Sequence, residues 1–164
     1  MRTVTRKALP IALVVLLAAT IVSVESVSLA TPSQGEIHRT DMVRGIHAGD
    51  GDVALRSGEE TLTYSVTYAP GATSGWHRHP GSVIVLVKSG TMTSYGLSGE
   101  LCVGEDIPAG GAYFEADAAR ARYPHFVRNR SDVPFEAVVV AFNVPPGGSP
   151  LVDADAPAEC PDPA

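Results

Sequence analysis

From Leu62 to Tyr68 the chain alternates without a break. Leu62, Tyr64, Val66 and Tyr68 are large and apolar, and the residues between them, Thr63, Ser65 and Thr67, carry small hydroxyl side chains. A period of two puts the first set on one face of a strand and the second on the other, which predicts a half-buried strand. Val83 to Val87 is a short β-branched run closed by Ser89-Gly90, and Thr91 to Tyr95 resumes β-type residues, so a hairpin turning at Ser89-Gly90 is expected. Ala137 to Phe142 is a valine-rich run stopped by Pro145-Pro146-Gly147-Gly148 and predicts a further strand. Only Glu115 to Arg122 has a helical composition; so short a stretch does not hold a helix in water, and a turn or short helical loop is expected there. Short strands between Gly and Pro turns, with no long amphipathic helix and no internal repeat, predict an all-β sandwich or barrel. A parallel α/β sheet would need crossover helices that the pattern lacks.

The first thirty residues follow a different logic. Arg2, Arg6 and Lys7 precede an apolar run from Ala8 to Val24, and Ser28-Leu29-Ala30 supplies a small-x-small cleavage site, the pattern of a signal peptide over 1–30. The alternative, an uncleaved N-terminal anchor, has a span at the short limit for crossing a bilayer. The 164-residue chain carries 12 Lys and Arg against 18 Asp and Glu, a formal charge of −6. Removing residues 1–30 leaves nine basic and seventeen acidic residues, or −8. That length suits one domain, and that charge disfavours nucleic acid and, after cleavage, anionic membranes as partners. An exported protein folds where thiols oxidise, so Cys102 and Cys160 read as a disulfide, the alternative being two unpaired thiols. Thr31 to Glu36 and the proline-rich tail at 149–164 look unable to build a core.

The chemistry concentrates in Gly71-Ala72-Thr73-Ser74-Gly75-Trp76-His77-Arg78-His79-Pro80. On a strand, residues two apart share a face, so His77 and His79 aim both imidazoles at one point and Trp76 points away. With five residues between Gly71 and His77, and Gly90 after them, this segment resembles the first motif of the cupin superfamily. That motif continues with a Glu, and here its position falls on Val83 or Ile84. His125-Phe126-Val127-Arg128-Asn129 resembles the second motif, in which His125 is a third ligand. Pro108-Ala109-Gly110 is similar to the turn that precedes it, although 14 residues separate Gly110 from His125, far more than the common pattern has. The order of Cys102, the strand through Tyr113-Phe114, His125, the Pro-Pro-Gly turn and Cys160-Pro161 resembles small exported bacterial cupins.

The resemblance implies a single cupin jelly-roll β-barrel over 51–148, preceded by a polar segment and first strand at 31–50. It implies one divalent metal ion, Fe, Zn, Ni, Cu or Mn, held by His77, His79 and His125. Without the Glu the site loses a negative ligand and holds hard ions such as Mn more weakly. No catalytic residue is assigned. Val83 and Tyr123 are substrate-pocket candidates, Tyr123 because it shares strand parity with His125. His38 and His47 read as surface residues, Arg120, Arg122, Arg128 and Arg130 as charge balance, and Asn129 as the tie of a turn. The expected partners are a small-molecule ligand or substrate and, for the protein itself, a second copy in a homodimer. Two functions stay open: metal-dependent oxidation of a small organic substrate by dioxygen, or capture of a ligand or metal without turnover.

Overall fold

The computed structural model describes residues 40–121 and 123–161. The expectations for the signal peptide, for His38 and for Arg122 lie outside them. Ten strands follow in order: β1 (Ile46–His47), β2 (Glu60–Tyr68), β3 (His77–Arg78), β4 (Val83–Ser89), β5 (Thr91–Ser98), β6 (Leu101–Pro108), β7 (Gly111–Glu115), β8 (Phe126–Arg128), β9 (Phe135–Val144) and β10 (Val152–Asp153). No helix occurs among the described residues, and none there is long and apolar enough to cross a membrane.

Five strands form one sheet in the order β1-β7-β4-β9-β2, three form a second in the order β6-β5-β8, and β10 pairs with β3 as a two-stranded ribbon. This is a jelly-roll β fold. Its core lies between the two larger sheets: Val83, Val85 and Val87 of β4 and Ala137, Val139 and Ala141 of β9 meet Met92, Ile107 and Val127 of the second sheet. Each fully buried valine contributes roughly 1.5–3 kcal/mol relative to exposure. The alternation in β2 survives as predicted, with Leu62, Tyr64, Val66 and Tyr68 packed against that core.

The hairpin expected at Ser89-Gly90 does not form. β4 belongs to the five-stranded sheet and β5 to the three-stranded one, so Gly90 carries the chain from one layer to the other. Gly90 has φ +72, and a Cβ there would lie 2.8 Å from the Phe135 Cα, so neither the backbone conformation nor the space admits a side chain. The hairpin partner of β5 is β6, paired over eight residues from Thr91↔Pro108 to Ser98↔Leu101. β6 escaped the sequence pattern because it is an edge strand, exposed at every position except Ile107. Glu115 is a second correction: it is the last residue of β7, and the turn begins beyond it, where Asp117 Oδ1 accepts from the Ala119 and Arg120 amides.

The cysteines are paired: Cys102 of β6 and Cys160 are joined by a disulfide with Cα atoms 5.0 Å apart, and Cys160 is fully buried. The tail upstream of Cys160 is docked, with β10 in register on β3 through Val152↔Arg78 and Asp153↔His77.

Candidate metal centre

The sequence brings the histidines together in two steps. On β3 and just past it, His77 and His79 project from the same face and are each 3 % exposed, whereas Arg78 between them faces the other way and donates to the Ala121 carbonyl. The segment from Gly71 to His77 then runs antiparallel to His125–Asn129. Reciprocal backbone bonds join His77 and His125, at 2.9 Å and 3.1 Å, and Ser74 N donates to Val127 O. The far end of this pairing is fixed by Asn129, whose buried amide donates to the Tyr68 and Val133 carbonyls and accepts from Ser131 N and Oγ. Asn129 therefore ties down the turn, as its residue type predicts.

The three imidazoles offer ligand atoms that all lie within 4.8 Å of one another. His79 Nε2 and His125 Nε2 are 3.2 Å apart. With metal–nitrogen bonds of about 2.0–2.1 Å, two ligands on one four- or six-coordinate ion stand about 2.9–3.4 Å apart, so this spacing fits a shared ion. The tautomers fit as well. His77 Nδ1 donates to the Gly75 carbonyl at 2.9 Å and His79 Nδ1 to the Pro150 carbonyl at 2.7 Å. A carbonyl only accepts, so both Nδ1 atoms carry the proton and both Nε2 atoms keep a lone pair for a metal, the outer-shell arrangement that orients metal-binding histidines.

A carboxylate stands against two of the three imidazoles. Glu115, 6 % exposed, is the only buried carboxylate among the described residues. Its Oε2 lies 3.0 Å from His79 Nε2 and its Oε1 3.4 Å from His125 Nε2. Two imidazole lone pairs and a carboxylate facing one another in a buried site need a cation between them, either a proton on an imidazole or a metal ion. The titration follows. Burial alone would raise the Glu115 pKa, but hydrogen bonds and charge from His125 and His79 hold it well below the usual carboxylate range. Burial opposes protonation of His79, and its bond to Glu115 outweighs that and raises its pKa. His77, buried and beside the His125 charge, is lowered to about 4.

Beside the cluster is a small, mainly apolar cavity of about 80 Å³, lined among others by Tyr64, Tyr68, Val83, Met92 and Leu151. It holds roughly five water-sized groups. Burial, then the Glu115 charge, pushes Tyr64 up to about 12 and also raises Tyr68, so both phenols stay protonated donors near neutral pH.

Val83, 1 % exposed, lines this cavity. Tyr123 borders a second groove, which Leu97, Phe114, Pro124, His125 and Glu115 also line. The paired, extended backbone begins at His125, and Tyr123 lies in the bend before it. Trp76 packs on Phe126, ring centroids 4.7 Å apart, away from the ligands. His47 is exposed, and Arg120 pairs with Asp52 at 2.7 Å on the surface. Sequence reasoning missed Pro150 and Leu151, and it placed Glu115 with Asp117 in a loop that would reach the site only by folding inward, whereas Glu115 ends β7. The signal for Glu115 was faint: it continues the parity of Tyr113 on a recognised strand, but which strand lies beside it is a matter of tertiary register.

Residues 64–141 match the family model described as Cupin domain. No curated protein matches the chain. Among solved structures the chain is similar to an uncharacterized conserved protein with a double-stranded β-helix domain from Klebsiella pneumoniae, 21 % identical over 71 % of this chain and 90 % of that one, TM-score 0.45. It is similar to a cupin-like protein from Thermotoga maritima, 22 % identical over 57 % and 64 %, TM-score 0.46. It is also similar to an oxalate oxidase in complex with the substrate analogue glycolate, 18 % identical over 56 % of this chain and 54 % of that one, TM-score 0.41; the matched region spans about half the length of that enzyme. The two histidine motifs and the jelly roll that makes them converge fall together with this match: residues 64–141 form a cupin domain.

Proposed function

We propose that the protein is an exported cupin that binds one divalent metal ion through His77, His79 and His125 and oxidises a small organic substrate seated in the adjoining cavity. The observation that carries the reading is the convergence of three imidazoles, two of them with Nδ1 fixed on backbone carbonyls. A bound redox-active ion would supply Lewis acidity and an electron-transfer centre. The protein's own residues supply the rest. Val83, Val85 and Val139 keep the cavity dry and limit it to a few heavy atoms, and Tyr64 and Tyr68 offer hydroxyl donors to a polar end of the substrate. The Cys102–Cys160 disulfide supports a location outside the reducing cytoplasm.

Capture without turnover is the second reading, favoured by the cavity's small volume. Metal analysis of protein purified from an oxidising compartment, with a His77→Ala/His79→Ala double variant as control, tests the site. One ion per chain, lost in the variant, is expected; no metal, or equal metal in both, refutes it. Oxygen consumption by the iron-loaded protein with a panel of thiols and diketones then separates the two readings, and a flat trace leaves the binder.

A further inference from the structure

We propose that Glu115 is the fourth, anionic ligand of this metal site, relocated across a β-ladder from the first-motif position that Val83 now fills. The inference rests on the three-histidine reading and adds to it a residue that lies outside both motifs.

The register carries the argument. β4 and β7 are antiparallel neighbours, and Val83 is paired directly with Glu115. Directly opposed residues in such a ladder project from the same face with Cβ atoms about 5 Å apart. A carboxylate at 115 therefore enters the same space as a carboxylate at 83, displaced sideways by one strand, and the length of a Glu side chain covers the difference. Val83 and Glu115 both line the cavity at the cluster. Both carboxylate oxygens are used, Oε2 at 3.0 Å from His79 Nε2 and Oε1 at 3.4 Å from His125 Nε2, separations that match the 3.2 Å between the two imidazole nitrogens. All three fall in the range of about 2.9–3.4 Å expected for ligands of one ion. Among the described residues the ion pairs of Glu115 are with these histidines, so its charge faces the cluster.

The chemical consequence is a site of three imidazoles and one carboxylate. It lowers the residual charge of a bound divalent ion by one and suits harder ions such as Mn and Fe(II) better than three imidazoles alone.

The test is Co²⁺ titration of the full chain after chelator treatment, read by visible d–d absorption and by competition with a chelator of known affinity. Glu115→Gln keeps the shape and removes the charge; Glu115→Val with Val83→Glu moves the carboxylate back to the first motif. Thermal melts of each metal-free variant check folding. Wild type is expected to bind one Co²⁺ per chain. Glu115→Gln should weaken binding by more than about 100-fold, beyond the ~10–100-fold cost of losing an outer-shell partner, and should change the d–d bands. The exchanged variant should recover affinity to within roughly tenfold with bands like those of wild type, which a residue acting only through His79 would not allow. If wild type binds Co²⁺ and Glu115→Gln binds it equally with the same spectrum, Glu115 is not a ligand and the three-histidine site stands. A folded exchanged variant that binds no better than Glu115→Gln overturns the relocation. Wild type that binds no Co²⁺ removes the metal reading itself.

Discussion

Replacing Cys102 and Cys160 by alanine together should cost about 4 kcal/mol of stability and reach the metal centre as well. The disulfide joins residues 58 positions apart. On the chain-entropy relation, cross-linking a loop of that length removes about 14 cal/mol/K from the unfolded chain, or about 4 kcal/mol at 25 °C. Alanine at the fully buried position 160 adds no unpaired polar group. What otherwise holds the tail is slight: the two-residue ladder of β10 on β3, Ala154 N on Trp76 O at 3.0 Å, and Pro150 O accepting from His79. Urea unfolding of the metal-free protein gives the stability. The m-value should rise, because an unfolded chain freed of its cross-link exposes more surface. Hydrogen exchange at the Ala154 amide should accelerate while amides of β9 follow only the global loss. Metal affinity should fall by ~10–100-fold, since the carbonyl that fixes the His79 tautomer rides on the tail. A loss below about 1 kcal/mol with an unchanged m-value would refute the reasoning, as would wild type reduced under native conditions failing to match the variant.

Phe135→Ala should cost about 3–5 kcal/mol in chemical denaturation, because the ring is fully buried and stacks on Tyr68 at 4.7 Å; a cost under 1 kcal/mol contradicts the assigned core. Gly81→Ala should disrupt the start of β4 and with it the approach of His79, since a Cβ would lie 1.8 Å from the Phe142 carbonyl oxygen. Lost soluble yield or a sharply lower Tm is expected, and an unchanged Tm rejects the close approach. In the metal-free protein His77 is lowered from 6.5 to about 4, so the unfolded state takes up its proton first and stability falls as pH drops from about 6.5 to 4. The contribution is about 3 kcal/mol, measured as the excess acid loss of wild type over His77→Gln; parallel curves would reject it. His79, raised by Glu115, acts in the opposite sense, stabilising below about pH 6.5 and losing that contribution as pH rises through its folded value.

What could be read from the chain follows from which contacts are local. β2, β4 and β9 announce themselves because a buried face repeats every second residue, and His77 and His79 share a face for the same reason. The family resemblance then supplies His125, which no local pattern reaches. Ser89-Gly90 misled because a tight turn between two β-type runs describes a hairpin and a crossing between sheets equally well; the difference is set by Phe135, 45 positions away, against which Gly90 packs. The tail misled through composition: prolines forbid a long strand but not a two-residue ladder, and Pro150, which has no amide hydrogen, still offers the carbonyl that His79 needs.

Glu115 shows why such a site has to be judged on its net charge and not on its motif. A lone carboxylate at this depth is costly, and burial alone would push it to the neutral form. Its neighbours favour the ionised form: in the metal-free protein the imidazoles of His125 and His79, in the loaded protein the metal ion. A proton on His79 and the metal then compete for the same lone pair. Loading should therefore release a proton wherever His79 is protonated, and affinity should fall as pH drops through the raised His79 pKa. With Glu115→Gln the carboxylate that raises that pKa is gone, so the pH dependence should move to lower pH. Chelator-competition titrations at a series of pH values would detect this, and identical profiles for the two proteins would mean that Glu115 and His79 are not coupled.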